Sequence, residues 1–375
     1  MTTRPCPICD SKDADALRRF DFVLPDDYPL PDHYAVVACN RCGMVYADTE
    51  ATQANYDQFY RDFNKYATRY EGRVEYLWAS SAERIKKHVR YDARILDVGC
   101  ANGELLTILA RRGYTRLTGI DPSAECAARG ISIMVGTLSN LPAGLGVFDC
   151  VILTHVLEHV CDVYGAMKTV KRLLKPQGIV YVEVPDAGNQ YSTQYNGPYQ
   201  EINTEHINCF SEQCLRNLAS VHSMKTISAG TAISDRFPIT YLVADASSPV
   251  PMKRDNELRR KISAYLDESE QMMQAYQENL RADLGAARSV IVWGAGELAM
   301  KMLRLPPLCE VKIKTIVDGN PAKTGRKMGS VSVVGPDALK SSTTPIVITS
   351  VIHADSIKCA IEKAGLTNPV VELRL

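Results

Sequence analysis

Two pairs of cysteines stand out first in this sequence. Cys6-Pro7-Ile8-Cys9 and Cys39-Asn40-Arg41-Cys42-Gly43 are C-x-x-C knuckles separated by 29 residues. Each knuckle sets two thiolates on one tight turn, and two facing knuckles supply the tetrahedral sulfur cage that Zn²⁺ prefers. Gly43 stands where such a turn can need positive φ. A closed four-sulfur set leaves no position for water, so the expected role of the metal is structural, folding a segment too small to build its own core. Reduced thiols or a redox pair are the competing readings. The other eight cysteines, Cys100, Cys150 and Cys161 among them, read as core or turn residues.

Glu205-His206 is the second chemistry-bearing pair. It sits in Asn203-Thr204-Glu205-His206-Ile207-Asn208-Cys209-Phe210-Ser211, after a polar stretch carrying Tyr191, Tyr195 and Tyr199. A loop of that length inside a compact domain is usually functional. A histidine near its reference pKa of about 6.5 is partly neutral at working pH and available as a base. A carbon or hydroxyl nucleophile must lose its proton, and His or Glu within hydrogen-bond reach is the usual agent. The plainer reading is a structural histidine at a helix entry, because Ser211 can cap a helix from about Glu212 to Ser220.

The elements that must position these groups centre on Ile95-Leu96-Asp97-Val98-Gly99-Cys100-Ala101-Asn102-Gly103-Glu104. An apolar strand runs into a turn of small residues, and a helix from Leu105 to Arg112 follows. Such a turn brings backbone N–H groups and a helix N-terminus close to a ligand. Leu117-Thr118-Gly119-Ile120-Asp121 is a second strand ending in a carboxylate placed for the two hydroxyls of a ribose. Phe148 to Leu153 forms another strand, followed by His155-Val156-Leu157-Glu158-His159-Val160. Lys168 to Leu174 reads as a helix and Ile179 to Val184 as a further strand.

These motifs resemble the class I S-adenosylmethionine (SAM)-dependent methyltransferases over roughly residues 76–245. The family's first motif is roughly D-x-G-x-G-x-G, with Ala101 here in place of the middle glycine. An ordinary Rossmann turn for a dinucleotide is the alternative. The resemblance implies SAM contacts from Asp97, Gly99, Cys100, Ala101, Gly103, Asp121, Pro122, Thr137, Leu138, Thr154 and His155. It casts His155 as a wall of the SAM pocket and His159 as structural, against a metal-binding face of His155, Glu158 and His159.

The whole layout is similar to the sugar C-methyltransferases, which act at C3 of nucleotide-linked 4-keto-6-deoxy sugars. That resemblance implies His206 as the base that forms an enolate, with Glu205 supporting it. The family often has a tyrosine where this chain has Asn203; Tyr199, Tyr195 or Tyr191 could substitute. Tyr56, Phe59, Tyr60, Tyr66 and Tyr70 are spaced for one helical face, and one or two of Tyr66, Tyr70 and Tyr76 are expected to reach the substrate. The expected reaction is C-methylation of a 4-keto-deoxysugar; O-methylation of a sugar hydroxyl and a non-catalytic SAM-binding scaffold are the alternatives.

Composition frames this reading. Lys plus Arg equals Asp plus Glu, 43 each, so no bulk basic signal points to nucleic acid. No apolar run approaches the ~20 residues needed to span a bilayer. The N-terminal residues lack a signal-peptide core, and the expected setting is a reducing cytoplasm. Past the breaker Ser247-Ser248-Pro249-Val250-Pro251, residues Asp255 to Leu284 form an amphipathic helix. Ser289 to Ala299, with Trp293-Gly294-Ala295-Gly296, repeats the strand–turn–helix pattern, and Asp318 ends the next strand. That motif is a weak nucleotide signal, and the resemblance favours a degenerate domain that helps wall in a nucleotide sugar. The expected fold is α/β: a zinc module with linking helix (1–75), a Rossmann-like class I methyltransferase sheet (76–250) and a Rossmann-like C-terminal domain (251–375), in a monomer or small homo-oligomer.

Overall fold

A computed structural model describes residues 2–63, 74–123, 130–190, 197–234, 237–247 and 250–375. The chain folds into two compact units. The first comprises Met1–Leu17, Val36–Gln190 and Thr204–Ile262, and the second Arg18–Ala35, Tyr191–Asn203 and Ser263–Leu375. The N-terminal cysteines thus lie within the same compact unit as the glycine-turn sheet.

Strands β1 (Ala14–Asp21), β2 (His33–Cys39) and β3 (Val45–Asp48) open the chain, followed by helices α1 (Gln53–Asp62) and α2 (Val74–Lys86). The main sheet contains β4 (Arg94–Val98), β5 (Arg116–Asp121), β6 (Ser132–Val135), β7 (Phe148–Thr154) and β8 (Leu174–Pro185). A short β9 (Asn208–Cys209) precedes β10 (Lys225–Ser234) and β11 (Phe237–Asp245). The main sheet has the order β10-β11-β8-β7-β4-β5-β6, while β9 joins the small sheet β1-β2-β3-β9. Neighbours from β8 to β6 run parallel, and β11 is antiparallel to both β8 and β10. This is the Rossmann-like class I methyltransferase fold.

Strand order reverses at β4, with β5 on one side and β7 on the other, which opens a crevice at the carboxyl ends of the strands. Helices α3 (Glu104–Arg111), α4 (Val163–Leu173) and α5 (Glu212–Val221) cover the sheet. On one face Ala82 and Ile85 of α2 pack with Leu105, Ile108 and Leu109 of α3 over Ile95, Ile152 and Tyr181. Burial of these side chains at about 1.5–3 kcal/mol each holds the turn after β4 in place.

Two boundaries differ from the sequence reading. Helix α4 begins at Val163, where the Asp162 side chain accepts from Gly165 N at 2.8 Å. Strand β8 starts at Leu174, through the expected turn, because Leu174 pairs with Phe148 before a register shift restores pairing at Ile179. Helix α5 follows its expected Ser211 cap, which accepts from Cys214 N at 3.1 Å.

The second unit contains β12 (Ser289–Trp293), β13 (Lys312–Val317), β14 (Lys327–Met328), β15 (Val331–Val334), β16 (Ile346–Ile348) and β17 (Val370–Glu372). Their order is β14-β15-β13-β12-β16-β17, parallel except for β14. The long helix α6 (Asn256–Leu284) enters this unit, and α7 (Glu297–Met302) and α8 (Ala354–Lys363) complete it. Ile291, Trp293, Ile346 and Ile348 pack against Ile357 and Ile361 of α8.

Candidate active site

The turn after β4 is built on left-handed backbone. Gly99 has φ +70° and Gly103 φ +73°, and Ala101 takes φ +45° between them. A Cβ on Gly99 would lie 2.7 Å from Val156 Cγ2, so only glycine fits where the turn meets the segment after β7. Ala101 pays about 1–2 kcal/mol of strain for its left-handed conformation. Asp121, at the end of β5, accepts from the Ala101 and Ser123 amides at 2.9 Å each.

A cavity of about 580 Å³ opens beside this turn. Of the expected cofactor residues, Gly99, Asp121, Pro122, Thr137, Leu138 and His155 line it; Asp97, Cys100, Ala101, Gly103 and Thr154 stand outside the lining. Asp97 is buried beneath the turn, where burial and the nearby Asp121 and Glu104 push its carboxyl well above the ordinary range. Tyr60 of α1 also faces the cavity, and Asp57 accepts from Ser139 Oγ at 2.8 Å.

His155 and His159 form one wall. His155, at φ +54°, has Nδ1 at 3.2 Å from Glu158 Oε1 and Nε2 at 4.0 Å from Glu183. Burial lowers the proton affinity of His155, but Glu158 and then Glu183 outweigh it and leave it raised. Glu183 accepts from Ser81 and Arg84 of α2 and from the Tyr181 hydroxyl. Trp78 packs edge-on against the His155 ring at 6.0 Å. Sequence reading did not single out Glu183, Trp78 or Arg84, since nothing in their spacing ties α2 to the end of β8.

The segment bearing Glu205-His206 is fixed against this wall. His159 Nδ1 donates to the Glu205 carbonyl at 3.0 Å, and the His159 and His206 rings meet edge-to-face at 4.8 Å. Ile207 N donates to Glu158 O at 2.9 Å, and Tyr56 OH to Thr204 O at 3.1 Å. Asn208 Nδ2 donates to the Leu157 and Val160 carbonyls, while the buried Arg4 donates to Asn208 Oδ1 at 2.7 Å and Cys161 O at 2.8 Å. His206 and Glu205 are absent from the cavity lining, one ring away from it. Tyr66, Tyr70, Tyr191 and Tyr195 lie outside the described residues, as does the side chain of Tyr76.

The four cysteines converge. Sγ of Cys6 lies 3.5 Å from that of Cys42, and Cys9 from Cys39 likewise; all four sulfurs fall within 4.8 Å of one another and are buried. Shared hydrogen bonding pushes the Cys42 thiol up and the Cys39 thiol down. Gly43 has φ +83°, and Asp255 N donates to the Cys42 carbonyl at 2.9 Å.

In the second unit the repeated motif has another electrostatic state. Ala295 N donates to Asp318 Oδ2 at 2.9 Å, and Lys323 Nζ binds the same oxygen at 3.0 Å and the Ala295 carbonyl at 2.9 Å. The carboxylate that could meet a ribose there is paired with an ammonium.

A family model described as "Methyltransferase domain" matches residues 70–221. That segment is a class I SAM-dependent methyltransferase domain. The chain is 27% identical over 195 residues to an uncharacterized 37.1 kDa protein in transposon TN4556 from Streptomyces fradiae, covering 47% of this chain and 56% of that protein. It is 37% identical over 98 residues to a ubiquinone biosynthesis O-methyltransferase from Methylocella silvestris, covering 24% of this chain and 38% of the relative. The matches thus span less than two thirds of these relatives' lengths. A Burkholderia thailandensis 1,6-didemethyltoxoflavin-N1-methyltransferase structure shares 15% identity and a TM-score of 0.41, covering 56% of this chain and 97% of its own. Among the described residues, no helix of the methyltransferase domain or of the rest of the chain is long and apolar enough to cross a membrane.

Proposed function

We propose that this chain transfers the SAM methyl group to a small molecule, a nucleotide-linked 4-keto-deoxysugar, at carbon. The observation that carries the reading is the Glu205-His206 segment, fixed against His159 at the wall of the cavity beside the glycine turn. Asp121 would bind the ribose hydroxyls, with Gly99, Pro122, Thr137, Leu138 and His155 forming the surrounding wall; Asp97, Cys100, Ala101, Gly103 and Thr154 would support the turn. His206 would take the proton beside the ketone. The electron pair left on carbon attacks the methyl, the carbon–sulfur bond breaks, and a thioether leaves. Glu205 would support His206; its backbone carbonyl, which accepts from His159 Nδ1, holds the segment in place.

Four buried sulfurs, two pairs at 3.5 Å and all within 4.8 Å, fit a structural zinc: Zn–S bonds of about 2.3 Å in a tetrahedron set sulfurs about 3.8 Å apart. Cys6, Cys9, Cys39 and Cys42 would hold it. The division at 75/76 and 250/251, a sugar-facing role for the C-terminal domain, a monomer or small homo-oligomer and a cytoplasmic setting belong to the same reading.

O-methylation of a hydroxyl is the second reading, favoured by the name of the ubiquinone biosynthesis relatives. Labelled SAM offered with 4-keto and fully hydroxylated nucleotide sugars separates the two: label on carbon is expected, and label on oxygen rejects C-methylation. His206→Ala is expected to abolish turnover with SAM affinity near wild type. Unchanged turnover would remove His206 as the base.

A further inference from the structure

Three imidazoles surround one buried carboxylate. Glu158 is 2% exposed and sits at the turn after β7. Its Oε1 lies 3.2 Å from His155 Nδ1 and 3.7 Å from His159 Nε2. Ligating atoms of Glu158, His159 and His206 all fall within 4.8 Å of one another. Oε2 is buried without a hydrogen-bond partner among the described residues, so the His155 ring meets this carboxylate at Oε1 alone. The groups facing the cluster are His155 and His159 from the turn itself, His206 and the Glu205 carbonyl from the acceptor segment, and the Tyr60 ring from α1; Glu183 stands behind His155.

Resting on the assignment of His206 as base, we propose that Glu158 is a positioning residue, the buried counter-ion that stabilises His206 once it has taken the substrate proton. An opposite charge within about 4–6 Å favours the charged form of a titrating group, by one to three pKa units. Burial pushes Glu158 up, but the His159 charge and the His155 hydrogen bond outweigh it, leaving the carboxyl at about 2 and ionised wherever the enzyme works. Proton transfer from carbon to His206 then creates a cation beside an existing anion. Nothing has to reorganise at that moment. Because the same carboxylate binds His155 of the cofactor cavity, one side chain ties the donor wall to the acceptor base.

Glu158→Gln keeps the shape and removes the charge. Turnover at the plateau is expected to fall about 10- to 100-fold, and the acid limb of the kcat/KM–pH profile to move about one unit or more toward acid. A merely structural loss would lower the plateau without that shift. Glu158→Asp retains the charge and should return the limb to near its wild-type position. An acid limb unmoved in folded Glu158→Gln, with His206→Ala inactive, overturns the counter-ion role and leaves the base assignment standing. Should Glu158→Gln fail to fold, Glu158→Asp decides: a limb shifted as far as a neutral residue would shift it overturns the proposal. Titration with Mn²⁺ followed by electron paramagnetic resonance supplies a second check. Manganese bound by wild type and lost with Glu158→Asp or His159→Ala would make the carboxylate a metal ligand and overturn the proposal, while free manganese throughout supports it.

Discussion

Asp121 accepts the backbone amide of Ala101 at 2.9 Å, so a carboxylate that lines the cavity also braces the turn beside it. The second unit repeats the bond between Ala295 and Asp318, but there Lys323 neutralises the acid. The two turns share the amide-to-carboxylate bond but differ in the ammonium beside the acid and in backbone, since Gly103 is left-handed and Gly296 is extended.

Asp121→Asn is expected to raise the SAM dissociation constant about 10- to 100-fold, because hydrogen bonds to a charged acceptor contribute about 1.5–3 kcal/mol. Asp318→Asn should leave SAM affinity unchanged. Calorimetric titration of both variants checks the contrast, and equal losses would contradict the assignment of SAM to the first turn.

Purified protein is expected to carry about one zinc per chain, measured by atomic emission. Cys39→Ser removes one of four sulfurs, and its zinc content should drop below half with a lower melting temperature. Full zinc occupancy in this variant would show that the metal sits elsewhere.

Stability should respond to pH through His222. Burial, with Lys168 and Lys171 nearby, pushes it down to about 4, and the residue is 6% exposed. The unfolded chain takes up this proton near pH 6.5 and the folded chain only near 4. The contribution is therefore complete above about pH 6.5 and lost as pH falls toward 4, up to about 3 kcal/mol. Urea unfolding of His222→Gln should show a flatter profile across that window; a slope equal to wild type would exclude His222 as its source.

The sheet around β4 was legible because its signals are local. Gly99, Gly103 and Asp121 lie within one strand–turn–helix–strand stretch, where spacing reports geometry directly. The four cysteines were legible for a different reason, since thiolate pairs at that spacing have few other uses. The partners of Glu158 were not. The sequence reading gave His159 a structural role and set His206 apart, because no periodicity relates residues 158 and 206 across a sheet. Trp78 and Arg84 were missed likewise, as α2 reaches Glu183 only through tertiary packing. Ala101 shows the limit in the other direction: the family expects glycine there, and the chain holds an alanine at φ +45° instead.

Arg4 carries a consequence for how the protein is assembled. Its guanidinium reaches Asn208, Cys161 and the Ala47 carbonyl, partners as far as 204 positions away. Its charge is fully satisfied only once the Ala47 and Cys161 carbonyls and the Asn208 side chain have been brought together. Contacts of such long sequence separation form late, since loop closure has to precede them. The segment that carries Glu205 and His206 is thus joined to β3 through Arg4 by contacts that close late in folding, whereas the turn after β4 is held by a bond to Asp121 spanning only 20 residues.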